Sequence, residues 1–366
     1  MTRIERFEAV VVGAGQAGLA AAFHLAQHGI DFTVVTSESR IGDNWRRRWD
    51  SLRLFTPARY SGLPGMPFPA PPNHFPDKDE VADYLERYAD RFDLPVRLDA
   101  PVRRMTSEGN RFQLFFEGSS PVVEAANVVV ATGAFQSKSI PTIASSLAPS
   151  IHQLHSSAYR NPFELPDGPV LVVGAGNSGA QIALELGRSR KVWLAGRGTG
   201  SLPRRLLGRD LFDWAWPVMT YATKDTRVGR RLSMKAKAGG DSLIGISSRE
   251  LADAGVLRVP RLETHRGGLP VCGDQVLEPK VIVWSTGFAA DHRWIDLPVF
   301  DGDGAPRHTR GVSTARGLYF LGLRFQHRMT SSLVGGVGAD AEFLAEQIAA
   351  RCDTELDCMS VVSTRG

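Results

Sequence analysis

The 366-residue chain holds only three cysteines, Cys272, Cys352 and Cys358. None forms a C-x-x-C pair. That speaks against a disulfide framework and against a relay of closely spaced thiols, and for a reducing compartment. Long uninterrupted apolar runs are also missing. Residues 9–26 come nearest, but three glycines break them and His24 sits among them, so they do not read as a signal or membrane segment. No strong charge of one sign appears: the net charge is +4 and the pI is near 9.1. The positive residues read as scattered over a solvated surface, which speaks against nucleic-acid binding, while a basic crevice would favour anionic cofactors. With 43% hydrophobic and 22% charged residues, the composition is that of a globular protein long enough for two domains. The expectation is a cytoplasmic protein with no nucleic-acid or membrane partner, and a homodimer is left open.

What is present begins at residues 9–39. A β-branched run, Val10-Val11-Val12, precedes a Gly-rich turn, a helical pattern and a second apolar run from Phe32 to Val35. The turn Gly13-Ala14-Gly15-Gln16-Ala17-Gly18 fits the G-x-G-x-x-G dinucleotide fingerprint. Its first glycine makes the tight turn, its second lets a pyrophosphate approach the backbone, and its third lets the helix pack on the strand. The phosphates then meet free N–H groups at the positive end of the helix. An acid about 20 residues on accepts from a ribose hydroxyl, and Ser37 or Glu38 stands near that distance. One such turn can be a plain strand-to-helix connection. A second copy, residues 170–186 with Gly174, Gly176 and Gly179, suggests two dinucleotides and an electron relay between a nicotinamide and a flavin.

Other segments support this frame. Gly42 and Trp45 suggest a turn and a flat apolar lid near a cofactor, and the Pro- and aromatic-rich residues 51–76 a wall of the first domain. Asp77 opens a helix with an apolar stripe at Val81, Tyr84, Leu85, Tyr88, Ala89 and Phe92. Strand patterns at Val96–Leu98, Val102–Met105 and Phe112–Phe116 read as a small antiparallel excursion. Val128-Val129-Val130 reads as a buried strand ending in Ala131-Thr132-Gly133, and Val281–Trp284 ends similarly in Ser285-Thr286-Gly287. Residues 134–168 form a domain crossing. Where the first unit has an acid, the second has Arg197, which can stack on an adenine and pair with a 2′-phosphate, so NADPH is favoured, with Arg204 and Arg205 close in sequence. Residues 206–256, with Leu243 to Leu251, read as largely helical and amphipathic. Residues 317–322 read as a strand, residues 331–351 as a Gly-rich turn opening a helix whose N-terminus can face a flavin ring, and the tail from Cys352 as frayed.

The two fingerprints, the Gly42–Trp49 segment, the FPDKDEVADYLERY helix start, the two Thr-Gly strand ends and the GLYFLGL…GGVGADAEFLAEQI finish together resemble a flavin-containing monooxygenase. The resemblance covers nearly the whole chain and is nearest the compact bacterial branch that also resembles plant YUCCA proteins and cation-efflux-associated flavoproteins. It implies an α/β fold of two Rossmann-like domains in three-layer ββα/βαβ architecture: residues 1–160 and 286–366 for FAD, with an NADPH domain, 161–285, inserted. It implies that NADPH reduces FAD, that O2 adds at flavin C4a to give a peroxide or hydroperoxide, and that one oxygen atom passes to a sulfide, an amine or a ketone. Carried over, Gly13, Gly15, Gly18, Glu38 and Trp45 fall at FAD positions and Val102 at the one whose backbone holds the adenine, with Gln16, Ala17, Ser37, Gly42, Thr132 and Gly133 counted as cofactor-binding beside them. Gly174, Gly176, Asn177, Ser178, Gly179 and Arg197 fall at NADPH positions, with Arg204 close by to help, His155 orienting the linker against NADP, and Thr286 and Gly287 counted as cofactor-binding. Phe55, Arg324 and Gln326 are the candidate catalytic residues.

Three departures stand out. The family's F-x-G-x-x-x-H-x-x-x-Y/F signature keeps only His155 and Tyr159 here. The asparagine that many members place over the flavin falls at Phe55, which cannot donate a hydrogen bond. The ribose acid is offset by one position. These leave open an NADPH oxidase or flavoprotein reductase that releases hydrogen peroxide, and, from another class, a nucleotide-responsive accessory protein of metal resistance. His152 and His155 are three apart, but no Cys, Asp or Glu clusters with them, and no metal is expected.

Overall fold

The structure is a computed structural model. It describes residues 4–118, 121–198, 200–237 and 242–363, with backbone only at 235–237 and 354–363. The run Val10–Val12 is the buried end of a longer strand, β1 (Ile4–Val12). Next comes α1 (Gln16–Gln27), whose buried Ala17, Gly18 and Ala20–Ala22 let its backbone lie close to its neighbours. β2 (Phe32–Val35) pairs in parallel with β1, Ala9 opposite Phe32. A single turn, α2 (Asp43–Arg46), leads through the Pro-rich wall to α3 (Lys78–Arg91). Asp77 caps α3: its carboxylate accepts from the Asp79 and Glu80 amides at 3.1 and 2.9 Å, and Glu80 accepts from the Asp77 amide at 2.8 Å. Five residues of the expected stripe, from Val81 to Ala89, are buried.

β3 (Val96–Arg97) departs from the sequence reading. It pairs in parallel with β2 and joins the main sheet, because the apolar end of α3 delivers it there rather than to the excursion. β4 (Val102–Glu108), β5 (Arg111–Phe116) and β6 (Val122–Val130) form the antiparallel excursion, and the far half of β6 runs parallel to β1.

The chain then crosses to a second sheet. β7 (His152–His155) already belongs to it, ahead of residue 160. It continues with β8 (Val170–Val173), α4 (Asn177–Gly187) and β9 (Val192–Ala195). A short hairpin (Arg205–Leu206 with Arg209–Asp210) precedes α5 (Leu211–Tyr221) and α6 (Arg227–Lys237). Leu243 to Leu251 is not one helix: Leu243–Ile244 is a short strand, and α7 (Ser248–Asp253) starts only where Ser247 and Glu250 make a capping box. β10 (Val256–Val259), an antiparallel meander over residues 262–276 and β11 (Val281–Trp284) complete the unit. β12 (Leu318–Phe320) then returns to the first sheet, and α8 (Gly338–Ser363) closes the chain. Its backbone stays helical past Cys352, where a frayed tail was expected.

The parallel cores run β12-β6-β1-β2-β3 and β10-β9-β8-β11-β7. Each sheet has apolar clusters on both faces. Trp45 packs against the core of both units, and Trp49 and Leu52 lie wholly in that of the second, so the segment after β2 wedges the two together. No helix among the described residues is long and apolar enough to cross a membrane.

Candidate functional site

The two fingerprint turns hold their glycines for different reasons. Gly13 has φ +111°, and a Cβ there would meet the Ala131 carbonyl at 2.6 Å; one at Gly18 would meet the Gly13 carbonyl at 1.7 Å. Gly174 (φ +107°) and Gly179 repeat this against the carbonyls of Ser285 and Gly174, at 2.2 and 1.9 Å. The middle glycines differ. Gly15 (φ −82°) and Gly176 (φ −78°) have backbone angles open to any residue, and a Cβ at either meets nothing within 4 Å. The fold does not need glycine there, but a phosphate lying on the backbone does. Gly15 and Gly176 are also the N-caps of α1 and α4, and no side chain caps either helix, whereas Asp77 and Ser247 cap α3 and α7 fully. Neither α1 nor α4 has an acid in its first turn. Both turns therefore present helix amides to an anion. Asn177 secures the second turn, its Oδ1 accepting from the Ile244 amide at 3.0 Å; Ser178 beside it is exposed.

The strand-end turns are tied to each other across the domain crossing. Gln136 Nε2 donates to Thr132 Oγ1 at 2.5 Å and to the Gly133 carbonyl at 2.7 Å, while its Oε1 accepts from the Asp291 amide at 2.9 Å. Buried His155 lies 2.9 Å from the Gly287 carbonyl through Nε2, and its Nδ1 accepts from the Ser157 amide at 3.2 Å. Nε2 is thus the protonated nitrogen. Burial lowers the His155 pKa, the Gly287 bond opposing it. Thr286 donates through its hydroxyl to the Ser139 carbonyl. His155, Thr286 and Gly287 are thereby brought together at the crossing.

At the first ribose position Ser37 is exposed, and Glu38 is half-buried and ion-paired with Arg47. Gly42 (φ +87°) abuts Ala82 of α3 and sets the turn into Trp45. Val102 is half-buried at the start of β4. Arg197 is exposed at the end of β9, and no carboxylate pairs with it among the described residues. Arg204 instead points to the first domain. It donates to the Phe55 carbonyl at 2.8 Å, pairs with Asp210 at 3.2 Å and lies over the Phe75 ring, 3.4 Å from its centroid. Burial lowers its pKa.

Phe55 stacks on Phe212 of α5 with centroids 6.0 Å apart, and Tyr60 on Trp216 at 4.8 Å. Beneath them Asp213 accepts from Arg59 at 2.6 and 3.0 Å and from the Tyr60 hydroxyl at 2.9 Å. Burial pushes the Asp213 carboxyl up, but those donors outweigh it and hold it below its usual range. The second unit thus lays α5 as a cap on residues 55–60. Next to them the backbone of Tyr60 touches Gly335, in the turn that opens α8.

Gln326 is buried in its own loop, accepting from the Leu323 amide at 3.3 Å and donating to the Arg310 carbonyl at 3.5 Å, while Arg324 is exposed. In the first turn of α8, fully buried Asp340 lies 3.8 Å from Arg310 and 3.9 Å from Arg328. Gln136, Asp213 and Asp340 were not singled out from the sequence; each is fixed by distant partners and lies in no motif. Among the described residues no group of His, Cys, Asp or Glu could hold a metal ion.

Residues 10–205 match the pyridine nucleotide-disulphide oxidoreductase family model. The chain is 43% identical over 345 residues to an uncharacterized CzcO-like oxidoreductase of Geobacillus kaustophilus, covering 93% of this chain and 98% of the relative. It is 27% identical over 380 residues to a probable indole-3-pyruvate monooxygenase, YUCCA9, of Arabidopsis thaliana, covering 93% and 88%. A flavin-containing monooxygenase from Stenotrophomonas maltophilia shares its fold with a TM-score of 0.77 and 26% identity, covering 95% of this chain and 99% of the other. OTEMO, solved in complex with FAD and NADP, shares the fold at a TM-score of 0.64 and 18% identity, over 95% and 86%.

Proposed function

The chain belongs to the pyridine nucleotide-disulphide oxidoreductase family, in its flavin-containing monooxygenase branch, and from there we propose that it is an FAD-dependent, NADPH-reduced monooxygenase. It transfers one oxygen atom of O2 to a small soft nucleophile, a sulfide or an amine, or to a ketone. The observation that carries this reading is the pair of uncapped fingerprint turns, each with a central glycine that the fold itself does not require.

In this reading the first unit with its return segment holds FAD, and the inserted unit holds NADPH. Gly13 to Gly18 seat the FAD pyrophosphate, with Ser37 or Glu38 at the ribose, Val102 at the adenine, and Gly42, Trp45, Thr132 and Gly133 around the remainder. Gly174 to Gly179 seat the NADPH pyrophosphate, and exposed Arg197 meets the 2′-phosphate. FAD, when bound, would supply the hydride acceptor for NADPH and, in reduced form, the group that activates O2. The chain does the rest. The amides at the start of α8 would favour negative charge on a ring bound beside them. His155 and Gln136 hold the two strand-end turns in register. α5 excludes water from the apolar wall around Phe55. Arg204 acts through its grip on Phe55 and Asp210 rather than on a phosphate.

No dithiol step is invoked among the described side chains. Cys272 and Cys352 are buried and in no disulfide, and burial pushes the Cys272 thiol up to about 11. One observation favours a second reading. Phe55, which offers no hydrogen-bond donor, stands on the apolar wall, and a site without such a donor there would release hydrogen peroxide as an NADPH oxidase does. Product balance decides between the two. With methyl phenyl sulfide as probe, the monooxygenase reading expects one sulfoxide per NADPH consumed. Hydrogen peroxide equal to the NADPH consumed, with no sulfoxide, would overturn it in favour of the oxidase.

A further inference from the structure

The insertion that caps the candidate site carries a second surface on its outer side. Of the fifteen large apolar side chains exposed among the described residues, eight lie between Leu202 and Met234. On α5 they follow one stripe: Trp214, Pro217, Val218 and Tyr221, at i, i+3, i+4 and i+7, all point outward, opposite the face that meets Phe55 and Tyr60. The hairpin before α5 extends this stripe. Its tip, Leu207, is 84% exposed, and Trp214 is tied to it by an Nε1 bond to the Leu206 carbonyl at 3.1 Å and by Arg209, 5.6 Å from the indole centroid. Past α5, Val228 and Met234 of α6 are exposed as well.

The same stretch holds most of the chain's charge imbalance. Residues 200–237 contain nine basic and three acidic residues, leaving 34 basic and 36 acidic for all the rest. Two of the three acids face inward: Asp210 pairs with Arg204 and Asp213 with Arg59. Arg205, Arg209, Arg227, Arg230 and Arg231 are exposed, and no carboxylate pairs with them among the described residues. On α6, Arg227, Arg230 and Arg231 line an open basin of about 610 Å³ with Lys224, Ser233 and Met234.

We propose that this face, the hairpin with α5 and α6, docks on an anionic phospholipid bilayer. Apolar side chains led by a Trp and a Tyr suit the headgroup boundary, and arginines beside them suit lipid phosphates. Nucleic acid would answer the charge but leave Leu207, Val218 and Tyr221 without an apolar partner. A second copy docking by the same face would set like charge against like.

The test is co-sedimentation of the FAD-loaded protein with vesicles of equal parts phosphatidylglycerol and phosphatidylcholine, compared with pure phosphatidylcholine. Binding to the anionic vesicles is expected to be at least about a hundredfold stronger and to fall at high salt. The triple variant Arg227→Glu, Arg230→Glu, Arg231→Glu loses that gain. Leu207→Ser with Tyr221→Ser weakens binding about tenfold or more at unchanged charge. Flavin content and melting temperature equal to those of the parent show that the variants are folded. Equal partitioning to both vesicles, no binding to either, or unchanged binding by the triple variant would overturn the proposal. So would release by dilute inorganic phosphate at constant ionic strength, which marks an ion site only. A dimer dissolved by Leu207→Ser with Tyr221→Ser, with no vesicle binding by the parent, would assign the face to a second copy instead.

Discussion

Gly15 and Gly176 stand apart from the other fingerprint glycines because the folded chain offers no reason of its own for them. Alanine at Gly15 meets open space, so Gly15→Ala is expected to cost at most about 1 kcal/mol, the weaker N-cap preference of alanine. It should nevertheless release FAD, because the methyl stands where a phosphate would lie. Gly18→Ala drives a carbon to 1.7 Å from the Gly13 carbonyl and is expected to cost about 3 kcal/mol or more even without cofactor. Thermal unfolding of the flavin-free variants, set beside their flavin content, checks both. A Gly15→Ala protein that keeps full FAD would refute the phosphate reading of that turn. The spacing of these glycines is legible in the sequence because the motif is local. Gln136 and Asp213 are not, since their partners lie 155 and 154 positions away, and no window of sequence shows such a pair.

At the scale of elements, α3 was readable to the residue, since its cap and its stripe both lie within it. α5 reads in the sequence as part of an amphipathic stretch, whereas both of its faces are apolar: one meets Phe55 and Tyr60 and the other is exposed. β3 joins the main sheet rather than the excursion for a related reason. A short strand's sheet is set by where the preceding segment delivers it, not by its own two or four residues. The clamp of α5 on residues 59–60 runs through one carboxylate, so Asp213→Ala should loosen the cap without touching either fingerprint. The expected result is unchanged flavin content with a several-fold larger share of NADPH lost as hydrogen peroxide. Tyr60→Phe, which removes one donor and keeps the ring stack, should show a smaller effect. A hydrogen peroxide share equal to the parent's in Asp213→Ala would show that the cap does not exclude water.

For the whole molecule, the two-sheet plan follows from the two glycine motifs, and the excursion from sheet one to sheet two and back is visible in the paired Thr-Gly strand ends. The burial of histidines could not be read from the sequence. His24, His155, His292 and His327 each have a pKa lowered mainly by burial. A histidine so lowered binds fewer protons folded than unfolded, so stability rises with pH and is lost as pH falls below the unfolded value of 6.5. The urea midpoint is therefore expected to drop between about pH 7 and about pH 5, before carboxylates begin to protonate. His155→Gln, which keeps a donor for the Gly287 carbonyl, should flatten part of that drop. A midpoint independent of pH over that range would contradict it. The charge of the molecule is less even than its total suggests. A net +4 reads as mild, but it is the sum of a strongly basic insertion and a slightly acidic remainder.

Reduced flavin in this chain is held to pass one oxygen atom of O2 to a substrate, the other leaving as water, rather than to release both as hydrogen peroxide. Stopped-flow absorbance after mixing NADPH-reduced protein with oxygenated buffer tests it most directly. A transient to the blue of oxidised FAD is expected, prolonged when NADP is bound and shortened by a sulfide. Direct return of the oxidised flavin spectrum, with hydrogen peroxide equal to the flavin reoxidised, would contradict it.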